Sequence, residues 1–147
     1  GSPTGSTRDM MEVLVPEARQ RGYEPDVWVC PSDVPAGRPF PWMCYQNAIR
    51  LQVYPMEAMV KIGDTLPDIE EGLNAGMWTI GVMFSGNEFG LTQYEVSALP
   101  LGVLQAKRQQ AYEKMYRAGA HYVVDGIWDC MPAIQEIGER LRQGERP

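Results

Sequence analysis

The stretch Val60-Lys61-Ile62-Gly63-Asp64-Thr65-Leu66-Pro67-Asp68-Ile69-Glu70-Glu71-Gly72 decides how the rest of the chain is read. The apolar run of Met59, Val60 and Ile62 reads as a buried strand. It ends in Gly63-Asp64-Thr65, and a helix starts near Pro67, a residue suited to the first helical turn. Asp64 then lies at the carboxyl end of a strand and Asp68 in the first turn of a helix. In open α/β sheets that edge is where ligands bind. Two carboxylates there can hold a hard cation such as Mg²⁺, which prefers oxygen ligands and keeps waters for a phosphate partner. The helix amino terminus favours an anion beside it. The same residues also fit a plain helix cap, a common use of Asp.

Upstream, Gly1 to Gly5 is a turn-rich start, and Ser6-Thr7-Arg8-Asp9 resembles a capping box. A helix is predicted from Thr7 to Arg21, with Pro16 kinking or ending it and Gly22 as the left-handed residue beyond. Asp26 to Cys30 reads as a short strand. The loop from Pro31 to Pro41 is stiffened by its prolines and carries a single cation, Arg38. A helix fits Pro41 to Gln52. Downstream of the central stretch, a helix runs to Asn74, and Met77 to Phe84 is a strand apolar on both faces, as expected where helices cover both sides. Ser85 to Gly90 reads as a polar loop, Gln93 to Leu99 as a short helix and Leu101 to Ala118 as a longer one. His121 to Asp125 is a strand and Trp128 to Gln143 the last helix. Strands alternate with helices throughout, so the fold class is α/β with a parallel sheet. No linker divides residues 1–147, which read as one domain.

Composition narrows the function. The chain has 147 residues, 44% apolar and 22% charged, ordinary for a globular protein. A net charge of −6 and a pI near 4.8 oppose a nucleic-acid surface, which needs a basic footprint. No apolar run reaches the length of a membrane span. Cys30, Cys44 and Cys130 form neither a disulfide framework nor a zinc pattern, and read as free thiols of a cytoplasmic protein. The opening Gly1-Ser2-Pro3-Thr4-Gly5 has no basic-then-apolar segment, and it lacks Met, so a processed or partial chain is expected. His121, the one histidine, lies in a strand-like run and reads as structural, which leaves Ser-His-Asp and Cys-His mechanisms unsupported.

Three loops carry polar groups: Ser2-Pro3-Thr4-Gly5, Gly37-Arg38-Pro39, and Asp64 to Asp68. A hydroxyl, a cation and paired carboxylates could converge on a phosphoryl group. The hydroxyl and nearby backbone N–H groups would donate to an oxygen, the guanidinium would balance charge, and the carboxylates would hold Mg²⁺. Thr4 as a turn residue and Arg38 as a solvated loop charge are the alternatives.

The order of a small-hydroxyl turn, a basic residue and Gly63-Asp64-x-x-x-Asp68 resembles the haloacid dehalogenase superfamily. More closely, the opening through Met11, Asp33-Val34-Pro35-Ala36-Gly37-Arg38-Pro39-Phe40-Pro41-Trp42-Met43-Cys44-Tyr45, and Gly63 through Thr79 resemble the phosphonoacetaldehyde hydrolase family. The resemblance implies a Rossmann-like core and Mg²⁺-dependent cleavage of the carbon–phosphorus bond of phosphonoacetaldehyde to acetaldehyde and phosphate. It implies catalytic roles for Thr4 and Arg38, phosphate binding by Thr4, Gly5 and Arg38, Mg²⁺ on Asp64 and Asp68, and a homodimer. It also implies parts for which these residues offer no match. One is a first, central strand bearing the nucleophilic Asp. The other is a helical cap bearing a Schiff-base lysine, for which Lys61, Lys107 and Lys114 lie in no matching context. The expectation is a carboxyl-terminal core portion, inactive by itself. A non-catalytic self-associating module and another phosphatase of the superfamily are the alternatives.

Overall fold

Strands and helices alternate along residues 1–83, 90, 95 and 99–147, which the computed structural model describes. In order they are β1 (Ser2–Pro3), α1 (Arg8–Gln20), β2 (Trp28–Val29), α2 (Trp42–Leu51), β3 (Val60–Gly63), α3 (Leu66–Asn74), β4 (Trp78–Val82), α4 (Leu101–Arg117), β5 (Tyr122–Val124) and α5 (Cys130–Arg142). Among the described residues every strand pairing is parallel. The short helix expected over Gln93 to Leu99 and the loop from Ser85 fall almost wholly outside the described residues.

The pairings form two sheets where one was expected. β1 pairs with β2, and β3-β4-β5 form the other. β4 is the centre of the larger sheet, with all five residues buried. Its alternate side chains serve two layers. Trp78, Ile80 and Val82 pack with Cys130, Ala133 and Ile137 of α5. On the other face, Ile69 of α3 packs with Ala111 and Met115 of α4, together with Met83 and Val123. Helices thus cover both faces, which explains why Met77 to Phe84 reads as a near-continuous apolar run.

β3 alternates in the same way. Val60 and Ile62 join the α5 layer, while Lys61 faces α3. Gly72 lets α3 come down onto this face. A Cβ there would lie 2.6 Å from Thr79 Cγ2 and 2.8 Å from Lys61 Cβ, closer than real carbon atoms approach.

The smaller sheet is slighter. α2 packs on β1 and β2, and Arg50 donates to the Trp28 carbonyl at 3.2 Å. α1 contains no buried residue. Its cap is Thr7, whose Oγ1 accepts from the Met10 N–H at 3.4 Å, one residue later than the capping box expected at Ser6. Pro16 does not end or shorten α1, which continues to Gln20. The carbonyl that loses its donor belongs to Glu12, on an exposed turn where water can replace it. Gly22 takes the left-handed conformation expected of it, with φ +86.

Candidate functional site

The site is built where both sheets present their carboxyl ends. β1 hands its backbone to Thr4, whose N–H donates to the Val29 carbonyl at 3.0 Å. Thr4 Oγ1 accepts from the Ser6 N–H at 3.1 Å, which closes the turn around Gly5. A hydroxyl has one donor and two acceptor positions, so the Thr4 O–H still has its proton to give.

Arg38 reaches this turn from the proline-rich loop. Its Nη2 would lie 2.3 Å from a Cβ on residue 5, so the guanidinium passes directly over Gly5, and any larger residue would displace it. The loop is tied to α3 by Asn74 Nδ2, which donates to the Pro39 carbonyl at 2.9 Å. Arg38 Nη1 donates to Asp68 Oδ1 at 2.5 Å. The expected residues Gly5, Arg38 and Asp68 therefore do converge, and the Arg38–Asp68 pair ties the turn after β1 to the first turn of α3. Asp64 follows β3 directly and is half-buried.

Asp68 is buried, and both its oxygens are engaged. Oδ1 also meets Lys61 Nζ at 3.1 Å, and Oδ2 accepts from Thr65 Oγ1 at 2.6 Å. Burial alone would raise the Asp68 pKa. The Lys61 charge, the Thr65 hydroxyl and the Arg38 guanidinium outweigh burial and hold it below the usual carboxylate range. Lys61 Nζ donates to Glu71 Oε2 at 2.6 Å, and Glu71 is fully buried. From sequence, Thr65 and Glu71 carry no role, and Lys61 is weighed only as a Schiff-base lysine in no matching context. A lysine inside an apolar strand, with two acids seven and ten positions on, is the signal that was available.

The donor set bears on Mg²⁺. Among the described residues no group of three or more His, Cys, Asp or Glu is placed to hold a metal. Asp64 suits the ion as a single carboxylate beside waters and a phosphate, a mode Mg²⁺ accepts. Asp68, committed to two cations and a hydroxyl, would support such an ion at one remove.

Elsewhere, His121 is held within the fold. Its Nδ1 accepts from the Thr79 N–H at 3.1 Å. Burial, followed by the Arg140 charge, lowers its pKa.

Between the two sheets lies a cavity of about 520 Å³. Ser2 and Pro3 of β1 line one side, and Val60, Lys61 and Ile62 of β3 the other. Among the described residues, no helix is long and apolar enough to cross a membrane.

No family model matches the chain. A phosphonoacetaldehyde hydrolase-like protein of Syntrophobacter fumaroxidans is 58% identical over all 147 residues, which make up 53% of that protein. A phosphonoacetaldehyde hydrolase of Nitratidesulfovibrio vulgaris is 56% identical over the same 147 residues, 52% of its length. The crystal structure of a phosphonoacetaldehyde hydrolase-like protein from Oleispira antarctica superposes with a TM-score of 0.94 at 43% identity, covering 99% of this chain and 52% of that one. The chain thus spans about half the length of the relatives it matches.

Proposed function

This chain is homologous along its whole length to phosphonoacetaldehyde hydrolases, of whose length it covers about half, and from that premise we propose that it forms the phosphate-binding side of such a hydrolase. The observation that carries the reading is Arg38, held by Asp68 over the Gly5 backbone. The guanidinium thus lies over the turn that carries the Thr4 hydroxyl, at the carboxyl ends of parallel strands. Such a corner suits a phosphonate or phosphate oxyanion. The guanidinium offers paired donors and balances charge. The Thr4 O–H adds a third donor. Mg²⁺, held by Asp64 with Asp68 behind it, would neutralise further charge on the bound oxyanion.

The substrate in this reading is phosphonoacetaldehyde, cleaved at its carbon–phosphorus bond. The nucleophilic Asp and the Schiff-base lysine come from elsewhere in the enzyme. Lys61 does not supply the latter, because it is buried beneath Asp68 and paired with two carboxylates. A strand laid between β1 and β3 would fill the cavity and join the two sheets. The 147 residues alone are expected to bind phosphate and not to turn over.

The test is hydrolysis of phosphonoacetaldehyde by a chain that joins these residues to the remaining half. We expect release of acetaldehyde, abolished by Asp64→Ala. Full activity in that variant overturns the reading. A second reading, a self-associating module, is favoured by the exposed Met10, Val13, Phe40, Trp42 and Ile49. It predicts a dimer or larger species without turnover, and a compact monomer would sink it.

A further inference from the structure

Beneath the Arg38–Asp68 pair lies a line of buried charges that the chemistry above does not use. Glu71 Oε2 accepts from Lys61 Nζ at 2.6 Å, Lys61 Nζ meets Asp68 Oδ1 at 3.1 Å, and the same Oδ1 accepts from Arg38 Nη1 at 2.5 Å. The charges alternate: minus, plus, minus, plus. Exposure grows along the line, from 0% at the Glu71 side chain and 4% at Lys61 to 23% at Arg38. Only Arg38 reaches the turn where an oxyanion would sit. Among the described residues no N–H or O–H donates to the other Glu71 oxygen, Oε1, and the weakly donating Cys44 thiol is the hydrogen-bonding neighbour of this carboxylate. A buried carboxylate left half-satisfied is costly and calls for an explanation. Cys44 adds no charge here. Burial, with the Glu71 charge, pushes its thiol up to about 12.

The two cations share one Asp68 oxygen. The hold of Asp68 on Arg38 therefore depends on how much of its charge Lys61 takes, and that depends on Glu71. We infer that Lys61 and Glu71 are positioning residues that set, through Asp68, the charge Arg38 presents to a bound oxyanion. This rests on the reading of the Thr4–Gly5–Arg38 corner as an oxyanion site. Without Lys61, the Asp68 charge falls wholly on Arg38, and the corner attracts an anion less. Without the Glu71 charge, Lys61 turns wholly to Asp68, Arg38 is released in part, and the corner attracts an anion more. Neither residue touches the ligand, and the two changes act in opposite directions. A merely structural role moves both the same way, since each variant then only loosens the site.

The experiment is calorimetric titration of the full chain with inorganic phosphate at pH 7. Glu71→Gln, which keeps the shape of the side chain, is expected to tighten binding roughly fivefold. Lys61→Met is expected to weaken it roughly tenfold, the scale of one partly screened charge near a surface site. Lys61→Arg restores affinity to within about twofold. Weaker or unchanged binding in Glu71→Gln overturns the inference, and this holds even where Lys61→Met fails to fold. Arg38→Ala separates the two levels of the argument. It should abolish phosphate binding. Binding that survives it overturns the oxyanion corner itself, and the inference with it. Loss in Arg38→Ala together with weaker binding in Glu71→Gln removes the inference alone.

Discussion

The two sheets are paired alike and held differently. Around β4, five consecutive buried residues are packed between α5 on one face and α3 with α4 on the other. Around β1 and β2 each strand has two residues, α1 buries nothing, and Met10, Val13 and Leu14 are exposed. Packing there is confined to Val29, Cys30 and the Met43, Cys44 and Ala48 side of α2, and polar ties add to it. Asp33 accepts from the Cys30 N–H at 3.1 Å and pairs with Arg8, and Arg50 approaches it at 4.0 Å. One half thus carries most of the apolar burial, and the other carries Thr4 and Arg38. The Arg38–Asp68 pair gives a weakly packed ligand corner a fixed point on a well-packed body. Burial of apolar surface is the dominant favourable term in folding, so the stability of the molecule should reside around β4.

The most severe test of this contrast is a cavity in the larger half. Trp78 is fully buried, and Arg140 stacks on its ring, 4.4 Å from the centroid. Trp78→Ala is expected to cost about 3–5 kcal/mol, the usual range for such a truncation. Urea denaturation monitored by far-ultraviolet circular dichroism measures it. A cost under about 1 kcal/mol would mean that the β4 layers do not dominate.

Acid separates the halves by a different lever. Burial alone would raise the Asp33 carboxyl, but the Cys30 N–H and the Arg8 guanidinium hold it below its ordinary value. A depressed carboxylate stabilises the fold above its unfolded pKa of about 3.9, and that stabilisation is lost as pH falls through the folded value. Asp68 follows the same rule at the Arg38 tie. The apolar contacts around β4 titrate no group themselves, and the acid-sensitive tie there, His121 Nδ1 accepting from the Thr79 N–H, follows a different course: with its pKa lowered by burial, its contribution is lost as pH falls from about 6.5 through the folded value. Amide exchange, corrected for intrinsic rates, should therefore show Trp28 and Val29 losing protection in a step below about pH 4, while any decline at Ile80 and Val82 sets in earlier, below about pH 6.5. In Asp33→Asn the small sheet should be weakened already at neutral pH and show a flatter acid response. Loss of protection at one common pH in both sheets would break the contrast.

How much of this is legible in the sequence follows the same division. The β3–loop–α3 stretch and β4 are legible because long apolar runs and turn residues fix their type and length. Gly5, Arg38 and Asp68 are legible as a group through the resemblance their spacing carries. Their contact depends on backbone proximity that no spacing states. β1 is not legible. Ser2-Pro3 looks like a turn, because proline lacks the donor a central strand needs. The pairing uses the Ser2 and Thr4 N–H groups, donating to Val27 at 2.7 Å and Val29 at 3.0 Å, so the donor missing at Pro3 falls on the other edge. The Lys61–Glu71 pair is hidden for another reason. Lys61 is weighed in the sequence only as a Schiff-base lysine, and its pairing depends on the close approach of α3 at Gly72, which no spacing states.

The smallest expected effect tests the contrast from the weak side. Val13 is 74% exposed on α1. Val13→Ser should change the stability of the isolated chain by no more than about 0.5 kcal/mol, as exposed substitutions do. A larger loss would mean that the apolar side of α1 is covered in solution. Protein concentration then distinguishes the cover. A second copy leaves by mass action on dilution, so its contribution falls with concentration. A contact within the chain does not change. A loss near 2 kcal/mol, the scale of burying one such side chain, that vanished on dilution would assign the missing packing of the small half to self-association. The two halves would then differ in where their apolar partners come from rather than in whether they have them.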